Sequence, residues 1–119
     1  MALKFYDRTK EEATTTGTGT FSLSGTGADG GFRAFSAVHA TGDEVFYCAV
    51  DSSNNAFEVG KGTLTSGTPW TLSRAEIKSS SNSNNKVNFA SAPEIFSTYP
   101  AENAAFFDTD MPNNVVETD

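Results

Sequence analysis

This chain is short of most residues that usually announce chemistry. Its 119 residues include one cysteine, one histidine, one tryptophan, two methionines and four prolines. A lone Cys48 excludes an internal disulfide and any all-thiolate metal site. Basic residues number 8 against 15 acidic ones, a net charge of −7. That balance disfavours nucleic acid, because neutralising phosphates supplies most of the affinity such binding needs. No apolar run approaches the ~20 residues of a membrane span. The opening residues, Met1 to Asp7, lack the apolar core of a signal peptide, so the reading is a chain made and kept in a cytoplasm. Leucine and isoleucine are scarce as well, which leaves a core to be built mainly from aromatics, with Phe21, Phe32, Phe35, Phe46, Phe57, Phe89 and Phe96 at strand positions read as filling it.

What is abundant is small and polar. Ser, Thr, Asn and Gly make up 47 of the 119 residues, a composition of strands and turns rather than helices. The length suits one domain with one core. In the strongest strand, Asp43 to Asp51, Val45, Tyr47 and Ala49 form one face and Phe46, Cys48 and Val50 the other, as in a central strand covered on both sides. The turn Asp51-Ser52-Ser53-Asn54-Asn55 leads into a hairpin partner, Ala56 to Leu64. Gly60 and Gly62 in that partner predict a bend, a bulge or close approach of another backbone. Further strands are expected at Thr20–Ser24, Trp70–Ser79, from Val87 and Phe89, and at Glu94–Tyr99. Ala34–Ala40 suits a short strand or one helical turn, and Ala101–Phe107 one or two helical turns. Seven or so short strands predict an all-β fold, a small antiparallel β-sandwich or barrel. Its expected domain occupies residues 17–107. Residues 1–16 read as an extended N-terminal arm or edge strand, since charges on both faces suit no central strand. Residues 108–119 read as an acidic tail carrying Asp108, Asp110, Glu117 and Asp119 without a base.

Few patterns carry chemistry. Gly25-Thr26-Gly27-Ala28-Asp29-Gly30 matches G-x-G-x-x-G, but a dinucleotide site needs a strand before the glycines and a helix after them. A glycine-rich hairpin loop is the reading here. A Cys48–His39 dyad is set against an apolar strand in which Cys packs as a small hydrophobe. Asp108-Thr109-Asp110 supplies too few oxygens for calcium, and no nucleophile-elbow serine is present. No catalytic residue, cofactor or metal ligand is expected. Aromatics near chain ends are the candidates for contact with a partner: Phe5, Tyr6, Trp70, Tyr99, Phe106 and Phe107, with Arg8 beside them.

The segments Phe5-Tyr6-Asp7-Arg8-Thr9-Lys10-Glu11 and Thr14-Thr15-Thr16-Gly17-Thr18-Gly19-Thr20-Phe21-Ser22-Leu23 resemble the start of a small domain of tailed-bacteriophage structural proteins. Gly31-Phe32-Arg33-Ala34-Phe35, Tyr47-Cys48-Ala49-Val50-Asp51, Phe57 to Leu64, Thr71 to Arg74, Ser79 to Asn82, Val87 to Phe89 and Phe96 to Ala101 continue it in order. In that family the domain often opens a tail- or head-fibre protein and also occurs as a stand-alone virion protein. The resemblance implies a structural role in the virion, with no catalytic residue. Without a receptor-binding region after the domain, it implies first a capsid decoration (cement) protein on the major capsid protein lattice, made in the host cytoplasm. A homo-oligomer, with a trimer at a lattice three-fold, is the expected assembly. The alternative is a fibre-attachment or tail adaptor protein that contacts other virion proteins. A third reading is a carbohydrate-binding β-sandwich, with Trp70 and Tyr99 stacking on sugar and Asp108 and Asp110 on calcium.

Overall fold

Alternation of side chains builds the centre of the molecule. In the computed structural model, which describes residues 2–103, 105–107 and 116–118, strand β3 (Glu44–Asp51) turns Val45, Tyr47 and Ala49 inward, all fully buried. The Ser52–Asn54 3-10 turn ends at Asn55 in the left-handed region (φ 53°), a conformation Asn tolerates, and hands the chain to β4 (Ala56–Thr65). The two strands pair antiparallel along the whole of β3.

Four more strands close the ring. These are β1 (Lys10–Ala13), β2 (Phe21–Gly27), β5 (Thr71–Leu72) and β7 (Glu94–Ser97). The neighbour order β3-β7-β1-β2-β5-β4 returns to β3, so the fold is a closed six-stranded antiparallel barrel. Closure leaves no open edge in the ring. Strand β6 (Glu76–Ser80) pairs only with β4, outside it. A single helical turn, α1 (Phe35–Val38), buries Phe35 against the barrel. A short hairpin of β8 (Ala105–Phe107) and β9 (Val116–Thr118) follows. Among the described residues no helix is long and apolar enough to cross a membrane.

The interior is aromatic, as the composition requires. Phe21 stands edge-on to Tyr47 at 5.6 Å and lies 6.0 Å from Phe89, with Leu23, Leu64, Leu72 and Ile95 around them. Burying each such side chain contributes about 1.5–3 kcal/mol. Gly60 and Gly62 are where another backbone comes close. A Cβ on Gly62 would lie 1.8 Å from the Ser73 carbonyl oxygen, and one on Gly60 would lie 2.5 Å from that of Glu76. The β4–β6 register also slips between Val59 and Gly60.

Several expectations change. Lys10–Ala13 is not part of an arm or an edge: β1 pairs with β2 on one side and β7 on the other. Its charges concealed an alternation in which Glu11 and Ala13 point inward. The Glu11 carboxylate accepts the backbone N–H of Gly25 and of Phe35, both at 2.7 Å, so it anchors the end of β2 and the start of α1. The expected strand Trp70–Ser79 is broken into β5 and β6 at Ser73-Arg74-Ala75. Val87 and Phe89 are buried, but Phe89 makes only an isolated bridge to Gly17. Ala101–Asn103 is a 3-10 turn, and Ala105–Phe107 is strand rather than helix. Phe57 and Phe96, read as core, are exposed and half-buried respectively, and Phe32 is half-buried. The tail positions 108–115 and 119 lie outside the described residues.

Candidate functional site

A buried polar cluster joins β3, β4 and the segment between β5 and β6. Glu58 and Arg74 are both buried, and Arg74 reaches the Glu58 carboxylate with two donors, Nε at 2.9 Å and the terminal Nη2. The Tyr47 hydroxyl donates to the same carboxylate, as does the Val87 backbone N–H at 2.8 Å. The guanidinium also donates to the carbonyls of Gly17 (2.9 Å), Gly19 (3.2 Å) and Val87 (2.6 Å). Side chains thus replace backbone pairing where β5 and β6 part, and they satisfy both the N–H and the carbonyl of Val87, which needs no strand partner. Burial pushes the Glu58 carboxyl up, but the bonds from Arg74, Tyr47 and Val87 outweigh it and hold the group below its ordinary range. Burial and the neighbouring carboxylate push the Tyr47 phenol far up, so it stays a neutral donor. Tyr47 and Glu58 come from ring strands, and Arg74, Val87, Gly17 and Gly19 from the segments between strands, so the cluster ties these connections to the wall. It is a structural network.

The direction of these shifts fixes the response to acid. Hydrogen bonds from His39 and Asn54 hold Asp43 and Asp51 below the usual range as well. A carboxyl depressed by folding stabilises fully above its unfolded value, about 4, and loses that contribution as pH falls toward the folded value. Thermal midpoints should therefore be flat from about pH 7 to 5 and should fall steeply below about 4. A Glu58→Gln variant should start lower and lose less over the same interval. A midpoint that rises on acidification would contradict this.

His39 and Cys48 do not pair. His39 donates through Nδ1 to the Asp43 carboxylate at 2.9 Å, its ring stacked on Phe35 and met edge-on by Tyr6 at 4.7 Å. Its Nε2 is buried with no partner among the described residues. Cys48 is half-buried, and burial pushes its thiol up to about 11, away from nucleophilic use. The Gly25–Gly30 segment closes β2 and a loop, with no helix of phosphate-binding length after it. No group of three or more His, Cys, Asp or Glu among the described residues is placed to hold a metal.

The sequence candidates for partner contact fare differently. Residues 2–8 are exposed and lie along the barrel. Lys4 donates to the Glu44 carbonyl (3.0 Å) and Glu44 to that of Ala2 (3.1 Å), which extends the sheet beyond the end of β7. This places Phe5 5.8 Å from Phe46 and edge-on to Tyr99 at 5.7 Å. Phe46 is thereby covered, while Phe5 and Tyr99 remain 48% and 56% exposed. Tyr6 is 37% exposed, and the Tyr99 hydroxyl is tied to the Asn103 carbonyl at 2.8 Å. Together Phe5, Tyr6, Arg8, Lys10, Phe32 and Tyr99 line a groove of about 410 Å³ between the N-terminal segment and the end of β7. Arg8 stacks its guanidinium on Phe32, 3.8 Å from the ring centre, and bonds to the Gly30 carbonyl. Its backbone is left-handed (φ 58°), which is uncommon outside glycine and asparagine.

No family model, curated protein or solved structure matches this chain. The groove therefore has to be read from its own chemistry.

Four of the seven candidates, Phe5, Tyr6, Arg8 and Tyr99, meet at this groove. Trp70 does not. It is half-exposed in a separate cleft with Leu23, Gly25 and Pro69, apart from the groove that Tyr99 lines. Phe106 and Phe107 fall on β8. Asp108 and Asp110 lie outside the described residues. Phe32 and Lys10, which sequence reasoning assigned to core and arm, belong to the groove; their separation from Tyr99 along the chain hid this.

Proposed function

We propose that this chain is a structural protein of tailed-bacteriophage particles, and that it acts by docking on other virion proteins through the Phe5–Tyr99 face. A capsid decoration (cement) protein that binds the major capsid protein lattice is the first form of that reading. The observation that carries it is the set of aromatic rings held in water around one groove. Among the described residues, three of the five exposed bulky apolar side chains, Phe5, Tyr6 and Tyr99, adjoin that one groove. Exposed aromatic area gains about 25 cal/mol per Å² when a partner covers it, and aromatics dominate interface energetics. The ordered phage-like segments in the sequence supply the virion context. A closed barrel with a bonded interior offers a rigid platform, and many copies on a lattice could bind through modest individual contacts.

The test is the position and copy number of the protein in purified particles, by quantitative gel densitometry and antibody-gold microscopy. Hundreds of copies over the head would support the decoration reading. A handful at the tail or at one vertex would favour the fibre adaptor. Absence from the particle would overturn the virion reading. In particles that carry the protein, Phe5→Ala with Tyr99→Ala should reduce its occupancy at least about tenfold, the effect expected on losing two aromatic anchors.

A further inference from the structure

The groove has the opposite charge character to the chain around it. Overall the chain has nearly two acidic residues for each basic one. Arg8 and Lys10 line the groove with one carboxylate, Asp7, in the lining and a second, Glu94, paired with Lys10 beside it, and the Arg33 guanidinium adds a third cation where it donates to the Asp7 carbonyl. These cations are held in place. Arg8 is fixed by Phe32 and the Gly30 carbonyl, while Lys10 lies 4.9 Å over the same ring and 3.2 Å from Glu94. An arginine immobilised on an aromatic face keeps further N–H donors in a planar fork, the geometry that suits a carboxylate. Between the cations and the exposed rings of Phe5 and Tyr99, the groove offers charge at one end and apolar area at the other.

Resting on the docking reading above, we propose that the groove binds an acidic segment of a partner protein, in extended form, with an aromatic or aliphatic side chain seated against Phe5 and Tyr99 and flanking carboxylates on Arg8 and Lys10. Charge complementarity selects this occupant over a basic segment. A nucleic acid strand is disfavoured because three cations within a chain of net charge −7 cannot track a run of phosphates. Steering by these cations would act mainly on the association rate, and the aromatic contact on the residence time.

The experiment is an amide NMR titration of the full chain with three probes: a heptapeptide alternating Asp and Phe, its counterpart alternating Lys and Phe, and a thymidine oligonucleotide. The acidic peptide should shift amides of residues 5–10 and 96–99, and binding should weaken as salt is raised to about 0.5 M, where screening is strong. The double variant R8Q/K10Q should bind about tenfold more weakly, as lost charge pairs predict. Y99A, at an exposed position, supplies a second variant whose fold does not depend on Arg8, and it too should lose affinity. No shift at about 1 mM acidic peptide, equal or tighter binding of the lysine peptide or the oligonucleotide, or shifts centred elsewhere would overturn the proposal. The virion reading fails separately. Absence from particles with intact acidic-peptide binding overturns only that reading; occupancy that depends on Phe5 and Tyr99 without acidic-peptide binding overturns only this inference.

Discussion

Replacing Arg74 by alanine should cost about 3–5 kcal/mol, the range for breaking a buried ion pair by removing one partner. Small domains are stable by about 5–15 kcal/mol, so the variant should be marginal or unfolded at room temperature. The loss comes from what is stranded. Without the guanidinium, the Glu58 carboxylate keeps only the Tyr47 and Val87 donors, and the carbonyls of Gly17, Gly19 and Val87 lose their bonds to it. Arg74 also packs its cation 4.6 Å over Phe21 and 5.4 Å from Phe89, so truncation opens a gap against two core rings. Lysine should rescue little, because one ammonium cannot reach in four directions. Urea denaturation followed by circular dichroism measures it. A stability within about 0.5 kcal/mol of the parent would show that the network is dispensable.

The same cluster marks the boundary of what could be read in advance. The β3–β4 hairpin was legible because its alternation and its Asp51–Asn55 turn are local signals. The helical turn at Phe35–Val38 and the close backbone approach at Gly60 and Gly62 were each one of the alternatives that local signals left open. Ring closure was not legible, since β1 meets β7 from the far end of the domain and nothing in either segment names the other. Glu11 misled because its charge reads with those of an arm or edge strand, and nothing local marked Glu58 or Arg74, yet all three are buried and bonded. Exposed aromatics near chain ends pointed to Phe5, Tyr6 and Tyr99, with Arg8 beside them. Only the fold could show that these four converge while Trp70 sits apart.

Two N-terminal deletions should differ sharply, because the exposed segment and the first barrel strand lie side by side in sequence. Removing Ala2–Tyr6 takes away the Lys4–Glu44 backbone bond, the Phe5 contact with Phe46 and the Tyr6 contact with His39, and leaves β1 intact. The barrel should survive, destabilised by about 1–3 kcal/mol from uncovering Phe46 and His39, and should lose its docking groove. Removing residues 2–16 also deletes β1. That opens the ring between β2 and β7 and strips Glu11 from the N–H groups of Gly25 and Phe35. Unpaired strand edges and a buried orphan donor at Phe35 leave no closed alternative, so this chain should show no cooperative thermal transition and should aggregate. Near-ultraviolet circular dichroism and thermal melts of both deletions decide the matter. Loss of particle or peptide binding in the longer deletion would say nothing about docking, because the fold goes with it. A cooperative melt in that deletion would mean that β1 is a detachable arm after all. Collapse of the shorter one would mean that the exposed segment is part of the folding unit rather than a surface laid upon it.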